Sequence, residues 1–118
     1  MLTLRREHYQ AFQETAKTEF VRRMRVHLRK EFPQKTATMP GPDLDGFITR
    51  HRTRAEAYNI SLADDVEYYL DCAMRYGEHF DTDPKKNWAG QILRTPSLKG
   101  SEKVTYLKKF AAEREKNG

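Results

Sequence analysis

The sequence predicts an all-α fold: a compact single-domain bundle of four to five helices spanning residues 1–118. Three observations predict it. Apolar residues recur at steps of three and four in several separate segments, the spacing that lays one stripe along a helix. Hydrophobic residues make up 37% of the chain and charged residues 33%. A core must therefore be assembled from stripes and not from continuously apolar strands. Valine and isoleucine are sparse, and no run alternates apolar with polar, so no sheet is expected.

The first helix is expected over about 4–32, with Thr3 as N-cap. Tyr9, Phe12, Ala16, Phe20, Met24 and Leu28 form its stripe, with Val21 alongside, and Arg22, Arg23, Arg25, Arg29 and Lys30 lie opposite. Basic residues in the last turns also complement the negative end of the helix dipole. Pro33 stops the helix, because the residue before a proline disfavours helical backbone. Residues 33–42, PQKTATMPGP, carry three prolines and a glycine and are expected as an irregular loop.

Asp43 is expected to open a second helix over about 43–58, with Leu44, Phe47, Ile48, His51, Ala55 and Tyr58 on one face. Asn59 suits the left-handed residue after a helix end, and Ile60 anchors the tight turn that follows. A connection this short makes helices two and three neighbours.

The third helix is expected over about 62–77. Ser61 is its predicted N-cap, with Asp64 and Asp65 facing the positive end of the dipole. Val66, Tyr69, Leu70, Ala73 and Met74 form its stripe, while Glu67, Tyr68, Asp71, Arg75 and Glu78 lie toward the other face. Gly77 ends it, and Phe80 folds back onto the core. Asp83 followed by Pro84 reads as N-cap and first helical residue, since proline lacks an amide that would go unpaired there. A short helix over about 84–93 follows, with Trp88, Ala89, Ile92 and Leu93 inward, until Thr95-Pro96. After a loop, Ser101 is the predicted cap of a last helix over about 102–115. Val104, Leu107, Phe110 and Ala111 face inward there, and the polar end EREKNG is expected to fray.

The net charge of +5 is unevenly placed. Residues 1–35 carry +5, residues 36–60 zero, residues 61–83 −6 and residues 84–118 +6. Basic ends flanking an acidic middle weaken the case for a nucleic-acid surface, and no recognisable base-reading module is present. Cys72 is the only cysteine, which excludes an intramolecular disulfide and fits a reducing compartment. The N-terminal residues carry no secretory h-region, and no run approaches the ~20 apolar residues of a membrane span. A soluble, cytoplasmic protein is expected.

No catalytic or metal motif is legible. His8, His27, His51 and His79 include no pair at HExxH spacing, and one cysteine cannot build a thiolate zinc site. His51, on an apolar face, reads as a structural histidine with a satisfied hydrogen bond. Asp81-x-Asp83 lacks the oxygen ligands and glycine of a calcium loop, having Lys85 and Lys86 instead, and reads as turn and cap. The α-helical acids fall on a solvated face, where general acid–base chemistry is not set up. Cys72 has no activating neighbour and reads as a buried or half-buried thiol. No cofactor, metal or catalytic residue is therefore assigned, and an enzyme is not expected.

The stretch from Ala55 to Leu93 resembles a family of small helical proteins of Gram-negative bacteria. Their shared pattern runs roughly A-x-x-Y-G-I, then E-x-D-V-x-x-Y-L, then M-x-x-x-G-x-x-F-D-x-D-P-x-x-x-W-A-x-x-I-L. Ala57-Tyr58-Asn59-Ile60 stands in the first block, with Asn59 for the usual glycine. Asp65-Val66 and Tyr69-Leu70 match the second. Met74, Gly77, Phe80, Asp81, Asp83, Pro84, Trp88, Ala89, Ile92 and Leu93 match the third. Such proteins are encoded beside type VI secretion spike, effector and effector-chaperone genes. The resemblance implies a non-enzymatic co-adaptor or chaperone whose partner is an effector, its adaptor or a spike component. Its motif is structural: Ser61, Gly77, Asp81, Asp83, Pro84 and Trp88 read as fold-setting residues. The candidate partner-binding residues are Arg22, Arg25 and Arg29 on the basic face, and Asp64, Glu67, Tyr68, Asp71 and Tyr76 on helix three. An immunity protein that neutralises a toxin and a small basic nucleic-acid-binding regulator stand as alternatives. A membrane partner is not expected.

Overall fold

The computed structural model describes residues 6–117. Among these residues the fold is all-α, with six α-helices, a 3-10 turn and no strand. The helices are α1 (Arg6–Glu31), α2 (Pro33–Thr36), α3 (Gly41–Ala57), α4 (Ala63–Tyr76), α5 (Asn87–Leu93) and α6 (Gly100–Asn117), with the 3-10 turn at Pro84–Lys86 before α5. The chain divides after Ile48 into two units.

In the first unit, Met24 and Leu28 of α1 are buried, as are Leu44, Phe47 and Ile48 of α3. Among the described residues the stripe predicted on α1 is realised toward its C-terminal end. Phe20 is half-buried and Ala16 exposed, while Thr3 and the side chains of Tyr9 and Phe12 fall outside the described residues. The loop predicted over 33–42 is corrected by the short helix α2. Pro33 costs nothing in a first turn, where its missing amide would have no partner. Buried Thr36 returns its hydroxyl to the Phe32 carbonyl at 2.8 Å. Arg29 then closes the segment, donating to the carbonyls of Thr36 and Met39 at 3.0 Å each. The start of α3 also moves earlier than predicted. The Leu44 amide bonds the Pro40 carbonyl, so Asp43 lies within the first turn and does not cap it.

In the second unit, α4 supplies the centre of the core: Val66, Tyr69, Leu70, Cys72, Ala73 and Met74 are buried. Phe80, Trp88, Ala89, Ile92 and Leu93 join it, with Val104, Leu107 and Ala111 of α6. The end of α3 is a Schellman turn. The Asn59 amide bonds the Glu56 carbonyl, the Ile60 amide bonds the Ala55 carbonyl, and Asn59 takes φ 66°. Ile60 is fully buried, as the anchor of such a turn should be.

Two predicted caps are corrected. Ser61 is exposed, and the N-cap position of α4 belongs to Leu62, whose carbonyl accepts the Val66 amide and whose side chain makes no cap bond. Asp64 and Asp65 in the first turn supply the negative charge that this end favours. Ser101 lies inside α6. Its start is instead closed by Glu102, whose carboxylate accepts the Lys99 amide at 2.9 Å while the Lys99 carbonyl accepts the Lys103 amide. The tail expected to fray is helical through Asn117.

Gly77, Asp83, Pro84 and Trp88 occupy the places expected of them. Gly77 ends α4 at φ 110°, ψ 157°, a conformation essentially restricted to glycine. Asp83 caps the 3-10 turn by accepting the Lys85 amide at 2.9 Å, with Pro84 first in the turn.

Candidate functional site

The described residues contain no group of three metal-ligating side chains. Several titratable side chains, His51, Glu78 and Asp81 among them, are tied to structural partners. His51 is fully buried, with Nε2 at 3.3 Å from the Glu78 carbonyl, the satisfied histidine expected. Arg54 donates to the same carbonyl at 2.8 Å, and Arg50 donates to the Glu78 carboxylate at 2.7 Å. The Arg50 guanidinium, foremost, holds that carboxyl below the usual carboxylate range. Asp81 is buried and accepts the Tyr58 hydroxyl at 2.6 Å, while its backbone carbonyl accepts Arg94 at 3.0 Å. Burial pushes the Cys72 thiol up to about 12, so it stays protonated at neutral pH and is a poor nucleophile.

The candidate partner-binding residues fall in both units. In the first, Arg25 makes a bidentate pair with Asp45, both bonds 2.8 Å, and Arg29 holds the carbonyls of Thr36 and Met39. Arg22 is exposed and pairs with Glu19 on its own helix at 2.7 Å. These guanidinium groups bond to groups within the first unit.

In the second unit, Asp64 is exposed, and Glu67, Tyr68, Asp71 and Tyr76 are half-buried. Tyr68 lies beneath the Lys108 ammonium of α6, 5.3 Å from the ring centre. Tyr76 meets Trp88 edge-on at 5.7 Å. Trp88 in turn lies parallel to Phe110 at 6.4 Å and carries the Arg114 guanidinium at 5.3 Å over its ring. Phe110, predicted to face inward, is 40% exposed, because Trp88 fills the space beneath it.

An aromatic surface on α6 thus runs from Phe110 back one turn to Tyr106, itself 41% exposed. Beside Tyr106 lies a shallow groove of about 210 Å³ between α5 and α6, lined by Gln91, Ile92, Thr95, Leu98 and Tyr106. Pockets that enclose a small-molecule ligand run to roughly 300–1,000 Å³. This groove is smaller and suits a single apolar side chain of another polypeptide. Sequence reasoning did not find it. Its signal was Tyr106 itself, an aromatic residue standing off the Val104, Leu107, Ala111 stripe in an otherwise charged helix.

No protein-family model, curated protein or solved structure matches the chain. No described helix is long and apolar enough to cross a membrane.

Proposed function

We propose that the protein is a non-enzymatic interaction module, and that its contact surface includes the α5–α6 groove and the exposed aromatics Tyr106 and Phe110. The observation that carries this reading is the groove itself: an apolar, side-chain-sized depression bordered by a partly exposed tyrosine. Aromatic side chains that keep one face in water are the residues most often found as anchors in protein interfaces. The engagement of His51, Asp81 and Glu78 in structural bonds supports a binding role over an enzymatic one.

The finer reading is a cytoplasmic co-adaptor or chaperone for a type VI secretion effector. Its support is the resemblance of residues 55–93 to that family's sequence pattern. The test is an affinity capture from nuclease-treated lysate of the native host, with mass spectrometry. Wild-type protein should retain an effector, an adaptor or a spike component, and Tyr106→Ser with Phe110→Ser should lose it. Recovery of nucleic acid alone, in an untreated control, would overturn the reading in favour of a basic nucleic-acid-binding regulator.

A further inference from the structure

Leu62 is the most exposed large apolar residue of the second unit, at 63%. It occupies the N-cap position of α4, where its side chain contributes no cap bond, and Asp64 and Asp65 follow it in the first turn. Neither acid pairs with a cation among the described residues. The groove has the complementary character. Lys99 follows the lining residue Leu98, Lys109 stands one turn beyond Tyr106, and neither ammonium is in an ion pair among the described residues. Glu102, the acid nearest Lys99 in sequence, has its carboxylate at the Lys99 amide. The stretch bearing Leu62 carries −6 and the stretch bearing the groove +6.

We propose that Leu62 of a second copy of this chain fills the groove, with Asp64 and Asp65 of that copy set against Lys99 and Lys109. Its own groove is not where Leu62 sits, since its side chain is exposed. The segments that bear knob and groove nonetheless meet at one backbone contact. Gly100 packs directly on the backbone of Asn59 and Ile60, so Lys99 leaves that junction on one strand of chain and Leu62 on the other. A molecule that carries both halves can exchange them reciprocally, closing a two-fold pair. The inference rests on the reading of the groove as a polypeptide-binding surface. It adds that the chain's own segment is an occupant, which an effector or adaptor would have to displace.

Sedimentation velocity on the full chain over a concentration series tests it. Wild type should pass from monomer to dimer, and Leu62→Ser, an exposed change that leaves the fold intact by circular dichroism, should weaken the dimer at least ten-fold. Added salt should weaken it too. Asp64→Lys with Asp65→Lys should be monomeric, as should Lys99→Glu with Lys109→Glu. Mixing those two variants should restore a dimer, because both contacts of the mixed pair are again complementary. A wild type that is monomeric throughout, or a dimer indifferent to Leu62→Ser and to the charge swaps, would overturn the proposal. The capture by Tyr106 and Phe110 variants reads the interaction function separately, so a monomer that still binds a partner through the groove sinks only this inference.

Discussion

The Tyr58 hydroxyl donates to the Asp81 carboxylate at 2.6 Å, across 23 residues of sequence. Asp81 is 7% exposed, so this bond offsets part of the cost of burying its carboxyl. The same residue holds the chain a second way, its backbone carbonyl accepting Arg94 from the end of α5. Tyr58→Phe keeps the ring and removes the donor. It should lower stability by about 1–3 kcal/mol, the usual cost of an unsatisfied buried polar group. Urea denaturation of the two proteins side by side measures this, and a loss within error would mean water replaces the phenol.

At Gly100 the start of α6 lies directly against the turn that follows α3. A methyl group there would collide with the Asn59 carbonyl and crowd the Ile60 Cα, both backbone atoms that cannot swing aside. The contact is fastened by Lys103, 4% exposed, whose ammonium donates to the Tyr58 carbonyl at 2.9 Å and caps the end of α3. Gly100→Ala should cost about 1–3 kcal/mol through overpacking. Gly77→Ala should cost a similar amount for a different reason. Space is open at Gly77, but its φ of 110° strains any residue with a Cβ. Thermal melts of both variants against an exposed control such as Ala112→Gly separate these effects from simple helix propensity.

These two glycines show what the sequence made legible and what it did not. Gly77, Asp83, Pro84 and Asn59 act through backbone geometry local to a few residues, and such geometry follows from residue type and order. The inward faces of α3, α4 and α5 were likewise readable, because periodicity alone assigns a face. Lys103 and Tyr58 were different. Both are polar-tipped residues whose partners lie 45 and 23 residues away, so only the packing of helices brings the donor to its acceptor. The helix starts at Leu62 and Lys99 were missed because a serine in the right neighbourhood outweighed the hydrogen bonds that decide which carbonyl accepts first. The groove was missed for a related reason: Gln91, Leu98 and Tyr106 converge only in three dimensions.

Tyr69 presents the opposite case to Tyr58. It is fully buried at the centre of an aromatic cluster with Phe80 at 5.1 Å, Tyr58 at 6.3 Å and His51 at 6.5 Å. Its hydroxyl has no hydrogen-bond partner among the described residues. Removing that oxygen removes a desolvated polar group and leaves the ring contacts in place. Tyr69→Phe should therefore raise stability, by about 1 kcal/mol, in contrast to Tyr58→Phe. A destabilised Tyr69→Phe protein would show that the hydroxyl is bound after all.

Alkaline pH should destabilise the protein. Burial is the leading cause that raises the Tyr58, Tyr68 and Tyr69 hydroxyls above their ordinary value of 10.0, and the Cys72 thiol from 9.0 to about 12. The unfolded chain releases these protons from about pH 9 upward while the folded chain retains them. The folded state then binds more protons, and stability falls as pH rises. Below pH 9 the contribution is fully present. Denaturation midpoints measured from pH 8 to pH 12 should decline first through the thiol range, and Cys72→Ala should remove that earliest portion of the decline. A flat profile through pH 11 would contradict the burial of these groups.

Trp88 is the single tryptophan, which makes its emission a local reporter of the second unit. The ring is 5% exposed, with Tyr76 against it edge-on, Phe110 lying parallel to it and the Arg114 guanidinium over its face. Native emission should be blue-shifted relative to the denatured protein. Phe110→Ala uncovers one side of the indole and removes an aromatic pair worth about 0.5–1.5 kcal/mol beyond its buried area. It should shift the emission to longer wavelength and lower the denaturation midpoint. Arg114→Ala removes only the cation, whose contribution at an exposed site is about 0.5–1 kcal/mol. That variant should change emission intensity more than wavelength, because the aromatic neighbours that exclude water remain. If Phe110→Ala leaves the emission maximum unmoved, Phe110 does not cover Trp88. The aromatic surface on α6 would then reduce to Tyr106 and the groove beside it.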